Sequence, residues 1–293
     1  MVTHPAQYSL KLFAKGDNMT SHTLVLGGGG VTGIAWMTGL IAGLAEAGVQ
    51  LVPASSVIGT SAGATVAAQI TSGTPIEQLY ERQLAGVPYE ITKAPGSMPR
   101  KFVIASLFSK TQEAASAKLG KAAFAAKVGP TQERRSIIQA RLPQHTWPDS
   151  DLRIVIVDAE TGVARVITRA DQVPLIDAVA ASCAVPLVWP VVKIQGRFYV
   201  DGGVRSPLNL DLAPGDGPVI ALAPTTASVR KWGSIDAQRR ALGGRAVEIV
   251  SPSAEVKSAQ GRNALDASTV PATARAGRDQ ARSVVARLGA LVS

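Results

Sequence analysis

The chain has 293 residues, 46% of them hydrophobic and 17% charged, which suits one large globular domain or two small ones with a sizeable core. Its 28 glycines and 18 prolines follow no G-X-Y period, so collagen-like and highly charged disordered chains are excluded. A formal charge of +9 points to an anionic partner without choosing among nucleic acid, lipid headgroups and solvent ions.

Residues 1–18 have no apolar run and no small-residue cleavage site, so they read as a flexible N-terminal extension rather than a secretory signal, ahead of a domain spanning 19–293. Thr23–Leu26 predicts a short strand, 27–30 a glycine loop, and 32–47 a small-residue helix stopped by Gly48. No charge occurs from Thr23 to Ala45, yet seven glycines in that stretch, four of them consecutive, argue against a membrane span. A strand over 56–58 and a helix over 62–71 follow. Glu46 is the only charge between Thr23 and Ile76, as expected for strands buried at the centre of an α/β sheet with parallel pairing.

Between about 74 and 150 the character changes: seven prolines break weakly amphipathic helices, and the stretch reads as an inserted helical cap. From Lys93 to Arg141 there are ten Lys and Arg against Glu113 and Glu133, a net of +8, with Phe102, Phe108 and Phe124 interleaved. Two readings stay open: a surface that docks on anionic membrane, or a solvated helix face with its phenylalanines in the core. Further strands are predicted at 152–157, 164–168, 192–194, 197–200, 219–223 and 247–250, and a closing helix at 272–288.

The single cysteine, Cys183, and three histidines, His4, His22 and His145, supply no zinc-ligand spacing. The chemistry therefore turns on a serine. Gly59-Thr60-Ser61-Ala62-Gly63 matches G-x-S-x-G directly after a β-branched apolar run and before an Ala-rich helix. A serine on such a strand-to-helix turn is held in a strained conformation with Oγ exposed, and Gly59 and Gly63 relieve the crowding. The serine needs a base, and no histidine occurs after His145, so the order Ser, acid, His of α/β-hydrolases fails. His145 itself lies in a proline-bounded loop and is a poor candidate.

Asp201 is the better one. A strand ending in Arg197-Phe-Tyr-Val200 runs into Asp201-Gly202-Gly203, which puts an acid at a strand end, where α/β sites assemble. A desolvated carboxylate there could take the serine proton; the alternative is a turn aspartate bonding its own backbone. Gly28-Gly29-Gly30-Val31-Thr32-Gly33 can aim successive N–H groups at an oxyanion. The same letters fit a dinucleotide fingerprint, but the acid expected about 20 residues on, at the end of the second strand, is missing.

A glycine loop after the first strand, G-T-S-A-G about 30 positions later and D-G-G after a late strand together resemble the patatin-like phospholipase family. Val157-Asp-Ala-Glu-Thr-Gly162 is similar to the family's middle strand and turn, and 178–190 to the small-residue helix before the aspartate strand. The resemblance covers about 23–208 and more loosely runs to 288. It implies a three-layer α/β/α patatin-like sheet and a Ser-Asp dyad. In that dyad Ser61 is the nucleophile and Asp201 the base; amides around Gly28, Gly29 and Gly30 form the oxyanion hole. It implies no metal or organic cofactor. Thr32 stands where members usually carry Arg or Lys, which removes a charge beside the loop. Cys183 reads as a small buried residue rather than a second nucleophile.

The expected activity is that of a phospholipase A- or lysophospholipase-like carboxylic ester hydrolase, in the cytoplasm and in peripheral contact with anionic membrane. The rival, motivated by Thr32, is a patatin-fold protein that binds lipid or an anionic headgroup with little or no turnover. Nucleic-acid binding rests on charge alone and lacks any recognition motif.

Overall fold

The computed structural model describes residues 22–86, 108–226, 228 and 231–292. Eight strands form one mixed sheet: β1 (Thr23–Leu26), β2 (Ser56–Thr60), β3 (Leu152–Asp158), β4 (Ala164–Ile167), β5 (Val192–Ile194), β6 (Arg197–Asp201), β7 (Val219–Leu222) and β8 (Val247–Val250). Hydrogen bonding runs β5-β6-β3-β2-β1-β7-β8, with β4 also on β3. The strands from β3 to β8 along this path through β2 and β1 are parallel; β4, β5 and β6 pair antiparallel.

Register explains how distant residues meet. On β3, Ile154 and Val155 pair with both β2 and β4, while Ile156 and Val157 pair with both β4 and β6. A strand has two edges, so β2 and β6 must share the edge opposite β4. They approach head-on along it. Thr60, the last residue of β2, pairs with Val155, and Asp201, the last of β6, pairs with Ile156, one position further along. The residue after β2 and the end of β6 are thereby brought together.

The period-2 alternation of β3 sorts the layers. Ile154 and Ile156 join a large core with α1 (Gly30–Glu46), α2 (Ala62–Ile70), α5 (Thr131–Arg141) and α6 (Leu175–Ser182). Val155 and Val157 face the other way, against the 208–213 segment and against Ala123 of α4 (Gln112–Phe124). Helix α3 (Ile76–Leu84) packs on α1. The helices between 74 and 150 are thus shared between both faces of the sheet. Lys93, Arg100, Lys101 and Phe102 of the basic stretch, like the 1–18 extension, lie outside the described residues.

One expectation is corrected, and two short helices are added to the predicted elements. The closing helix is broken into α9 (Val270–Gln280) and α10 (Val285–Val292) by a 3-10 turn at Ala281–Ser283, because Gln280 accepts from Trp36 Nε1 (2.8 Å) and donates to the Ser251 carbonyl (2.7 Å), fixing α9 at that point. Helices α7 (Ile235–Ala241) and α8 (Ala254–Gln260) are short and are each capped by a serine, Ser234 and Ser253, a local signal that the apolar pattern does not carry. Among the described residues no helix is long and apolar enough to cross a membrane.

Candidate active site

Ser61 occupies the turn between β2 and α2 with φ 55 and ψ −116, a left-handed conformation that costs a non-glycine residue roughly 1–3 kcal/mol and persists only when the surroundings enforce it. Two neighbouring side chains at the end of α6 do so. The Ser61 N–H donates to Ser182 Oγ (2.9 Å), which in turn donates to the Val155 carbonyl (2.7 Å), and Cys183 Sγ donates to the Ser61 carbonyl (3.2 Å). Gly63 lets the turn sit directly against β1: a Cβ there would run into the Leu26 carbonyl.

Asp201 ends β6 in relaxed backbone geometry, φ −48 and ψ 132. Its carboxylate divides its work. Oδ2 accepts from Ser61 Oγ at 2.6 Å, and Oδ1 accepts from the Gly203 N–H at 2.6 Å. The turn-bonding role and the partnership with serine therefore coexist in one side chain. Asp201 is 4% exposed, and burial pushes its carboxyl up to about 6, against the opposing pull of the Ser61 hydroxyl, the Gly203 amide and the charge of Arg134. Above that pH the group is an anion aimed at a hydroxyl proton; below it, a neutral acid. Burial likewise raises the Cys183 thiol to about 11, so this sulfur is an inert donor rather than a thiolate.

Asn209, fully buried, ties the two strand ends to each other. Its Nδ2 lies 3.1 Å from Thr60 Oγ1, 3.1 Å from the Gly202 carbonyl and 2.8 Å from the Ser206 carbonyl. Arg205 holds the other end of that amide at 2.8 Å and pairs with Asp211.

Ser61 and Asp201 line a cavity of about 290 Å³ with the glycine loop, Val185, Trp189 and Leu265 on its walls. The three loop glycines play unequal parts. The Gly28 N–H donates to the Pro207 carbonyl (2.7 Å), whereas those of Gly29 and Gly30 have no hydrogen-bond partner among the described residues. Gly30 has φ +62, and a Cβ would strike the Ala264 carbonyl. These two amides sit at the start of α1, whose dipole adds positive potential. Gly33 packs on Pro224, and a Cβ at Gly202 would lie 2.5 Å from the Val155 carbonyl. Thr32 is buried, and its hydroxyl donates to the Gly29 carbonyl at 3.4 Å.

His145 lies elsewhere: it lines a second cavity, and its Nε2 meets the Gln139 carbonyl at 3.1 Å. Ser182, Asn209 and Arg134 were not singled out by the sequence. Arg134 comes from α5, is 5% exposed, stacks 3.9 Å over the Trp189 ring and lines the serine cavity. A serine in a small-residue helix and an arginine in a basic run carry no local mark of such a position.

A hydroxyl bonded to a buried carboxylate, beside two amides at a helix start that have no partner among the described residues, is an arrangement able to carry out acyl transfer on a mixed α/β sheet. The patatin-like phospholipase family model matches residues 24–214, well over half of the chain, and the chain belongs to that family. Membership supports lipid ester hydrolysis as its chemistry. Among solved structures, VipD from Legionella pneumophila is 13% identical with a TM-score of 0.49, over 92% of this chain and 67% of that one. The type III effector protein ExoU is also 13% identical, with a TM-score of 0.39, and this chain, matched over 92%, spans about half of it (53%). No curated protein matches the sequence.

Proposed function

We propose that the protein is a serine acyl hydrolase that cleaves carboxylic ester bonds of lipids in the manner of a phospholipase A or lysophospholipase. Ser61 Oγ attacks the acyl carbonyl carbon while its proton passes to Asp201 Oδ2. The oxyanion forms against the N–H groups of Gly29 and Gly30, each worth roughly 3 kcal/mol to such an intermediate. Collapse breaks the ester bond, and the departing alkoxide takes the proton back from Asp201. Water then gives a proton to Asp201 and its oxygen to the acyl carbon, and Ser61 leaves with that proton, releasing the fatty acid. Helix α5 covers the acyl cavity, and the substrate is met at an anionic membrane surface.

The observation that carries this reading is the 2.6 Å hydrogen bond from Ser61 Oγ to a carboxylate whose burial raises it to about 6. One observation favours the rival, a lipid- or headgroup-binding protein without turnover: the position beside the loop holds the buried Thr32 hydroxyl instead of a cation. Hydrolysis of short-chain p-nitrophenyl esters by the wild type, lost in Ser61→Ala and in Asp201→Asn, is the expected result. No hydrolysis by the wild type, or full activity in either variant, contradicts the proposal.

A further inference from the structure

Helix α4 has two faces with different tasks. The inner one buries Ala115, Ser116, Leu119 and Ala123 against the sheet. It also holds the turn that follows Asp201: Gln112 Nε2 donates to the Arg205 carbonyl (2.8 Å) and Ser116 Oγ to that of Val204 (3.5 Å), a residue lining the serine cavity. The outer face exposes Lys118, Lys121 and Phe124, three residues apart and so on one stripe.

The apolar content of this surface is unusual. Among the described residues the exposed large hydrophobic side chains are Phe108 (75%), Phe124 (44%) and Val163 (53%); Phe124 is on α4 and the other two lie beside it. Phe108 is held there by Lys118, whose Nζ donates to its carbonyl at 2.6 Å. Val163 follows Gly162, which is pressed against the α4 backbone at Glu113 and Ala117. Phe124 meets the Phe198 ring edge-on at 5.2 Å, and Lys193 lies 5.6 Å over that ring, so the patch continues onto the β5-β6 hairpin.

Charge follows the same surface. From Phe108 to Pro130 the chain has Lys110, Lys118, Lys121 and Lys127 against Glu113, a net of +3, and all four lysines are exposed. Glu160, nearby in sequence to Val163, faces Arg197 at 3.9 Å. Lysines among exposed phenylalanines suit a bilayer, where the ammonium groups meet anionic headgroups and the rings enter the acyl boundary. A protein partner fits less well, since lysine is depleted at such interfaces, and nucleic acid gives the rings no buried environment.

We infer that the outer face of α4, with Phe108, Phe124, Val163 and the lysines among them, is a docking surface for an anionic lipid bilayer. It stands one helix diameter, about 10 Å, from the turn that carries Asp201. The inference rests on the proposed lipid hydrolysis only in that the bilayer would hold the substrate; binding itself is read without turnover.

The test is sedimentation of the full chain, carrying Ser61→Ala, with vesicles of phosphatidylcholine alone or with one-third phosphatidylglycerol, at 0.1 M and 0.5 M salt. Binding is expected only to the anionic vesicles at low salt. Lys118→Ala with Lys121→Ala should lower the partition coefficient about 25-fold, at about fivefold per lysine near the lipid. Phe108→Ala, at a site too exposed to affect folding, should lower it about fivefold. Arg239→Ala with Arg240→Ala, exposed on α7, should change it less than twofold. Equal binding to both vesicles, no effect of the α4 lysines or of Phe108, or an equal loss from the α7 pair would overturn the inference. In the Ser61 background without the substitution, the α4 variants should hydrolyse soluble p-nitrophenyl esters at the parent rate. If no ester is hydrolysed while vesicle binding still follows α4, the hydrolase proposal fails and this inference stands.

Discussion

Ser61 and Asp201 both follow strand ends, yet the two ends are built in opposite ways. The serine sits in strained backbone, φ 55 and ψ −116, clamped on its N–H by Ser182 and on its carbonyl by Cys183. The aspartate has ordinary backbone angles, with its N–H donating to the Ala184 carbonyl (3.0 Å), but its carboxyl is buried and raised to about 6. One half of the pair stores conformational strain and the other stores desolvation. If Ser61 and Asp201 act as the proposed nucleophile and base, the contrast teaches that positioning the one and tuning the other are separate problems, solved by different residues, and separate substitutions should expose each.

Ser61→Ala should have the largest effect on activity, roughly a 10⁴-fold or greater loss of ester hydrolysis by initial rates, because it removes the hydroxyl that is bonded to the Asp201 carboxylate. Asp201→Asn should cost about 10²–10⁴ in kcat, the usual range for a lost general base. Its stability should move the other way. The folded carboxyl, raised from 3.8 to about 6, binds its proton more tightly than the unfolded one. That contribution is therefore present below about pH 4 and is lost as the pH climbs through 6. The neutral variant escapes the loss, so thermal melts should show it more stable than the wild type at pH 8, by up to about 3 kcal/mol, and equal to it near pH 3.5.

Gly63→Ala attacks the strained half through packing. Its methyl group must displace the Leu26 carbonyl in the central strand, and a destabilisation of about 3 kcal/mol is expected in denaturant titrations. The wild-type pH-rate profile should rise with a single limb near 6 and then level, reporting deprotonation of Asp201. Ser182→Ala is the mildest case: it removes the acceptor of the Ser61 N–H and should lower kcat about tenfold with KM unchanged, whereas general structural damage would lower the melting temperature without that split.

How much of this was legible in the sequence follows from the same contrast. The strained half announces itself, because backbones crowd there and only glycine fits: Gly63 under the Leu26 carbonyl and Gly30 against the Ala264 carbonyl are written as G-T-S-A-G and the glycine loop. The D-G-G turn was legible for a similar reason, with Gly202 close to the Val155 carbonyl. What could not be read is whatever depends on long-range contacts. Pro207 occupies the Gly28 amide from a position 179 residues away, Ser182 reaches Ser61 from the end of α6, and Asn209 links two strand ends through one buried amide. None of these residues departs from what its local stretch would hold anyway. The strand order was likewise hidden: adjacency of β2 and β6 on one edge of β3 is a matter of register, which alternation alone does not set.

The pairing of Ser61 with Asp201 is tested most directly by the rate at which a fluorophosphonate modifies the 293-residue chain, with the labelled residue found by mass spectrometry. The account predicts one modification, at Ser61, fast above pH 6 and slowed at least a hundredfold in Asp201→Asn. Labelling of Ser61 at the wild-type rate in that variant, or no labelling of the wild type at pH 8, would contradict it.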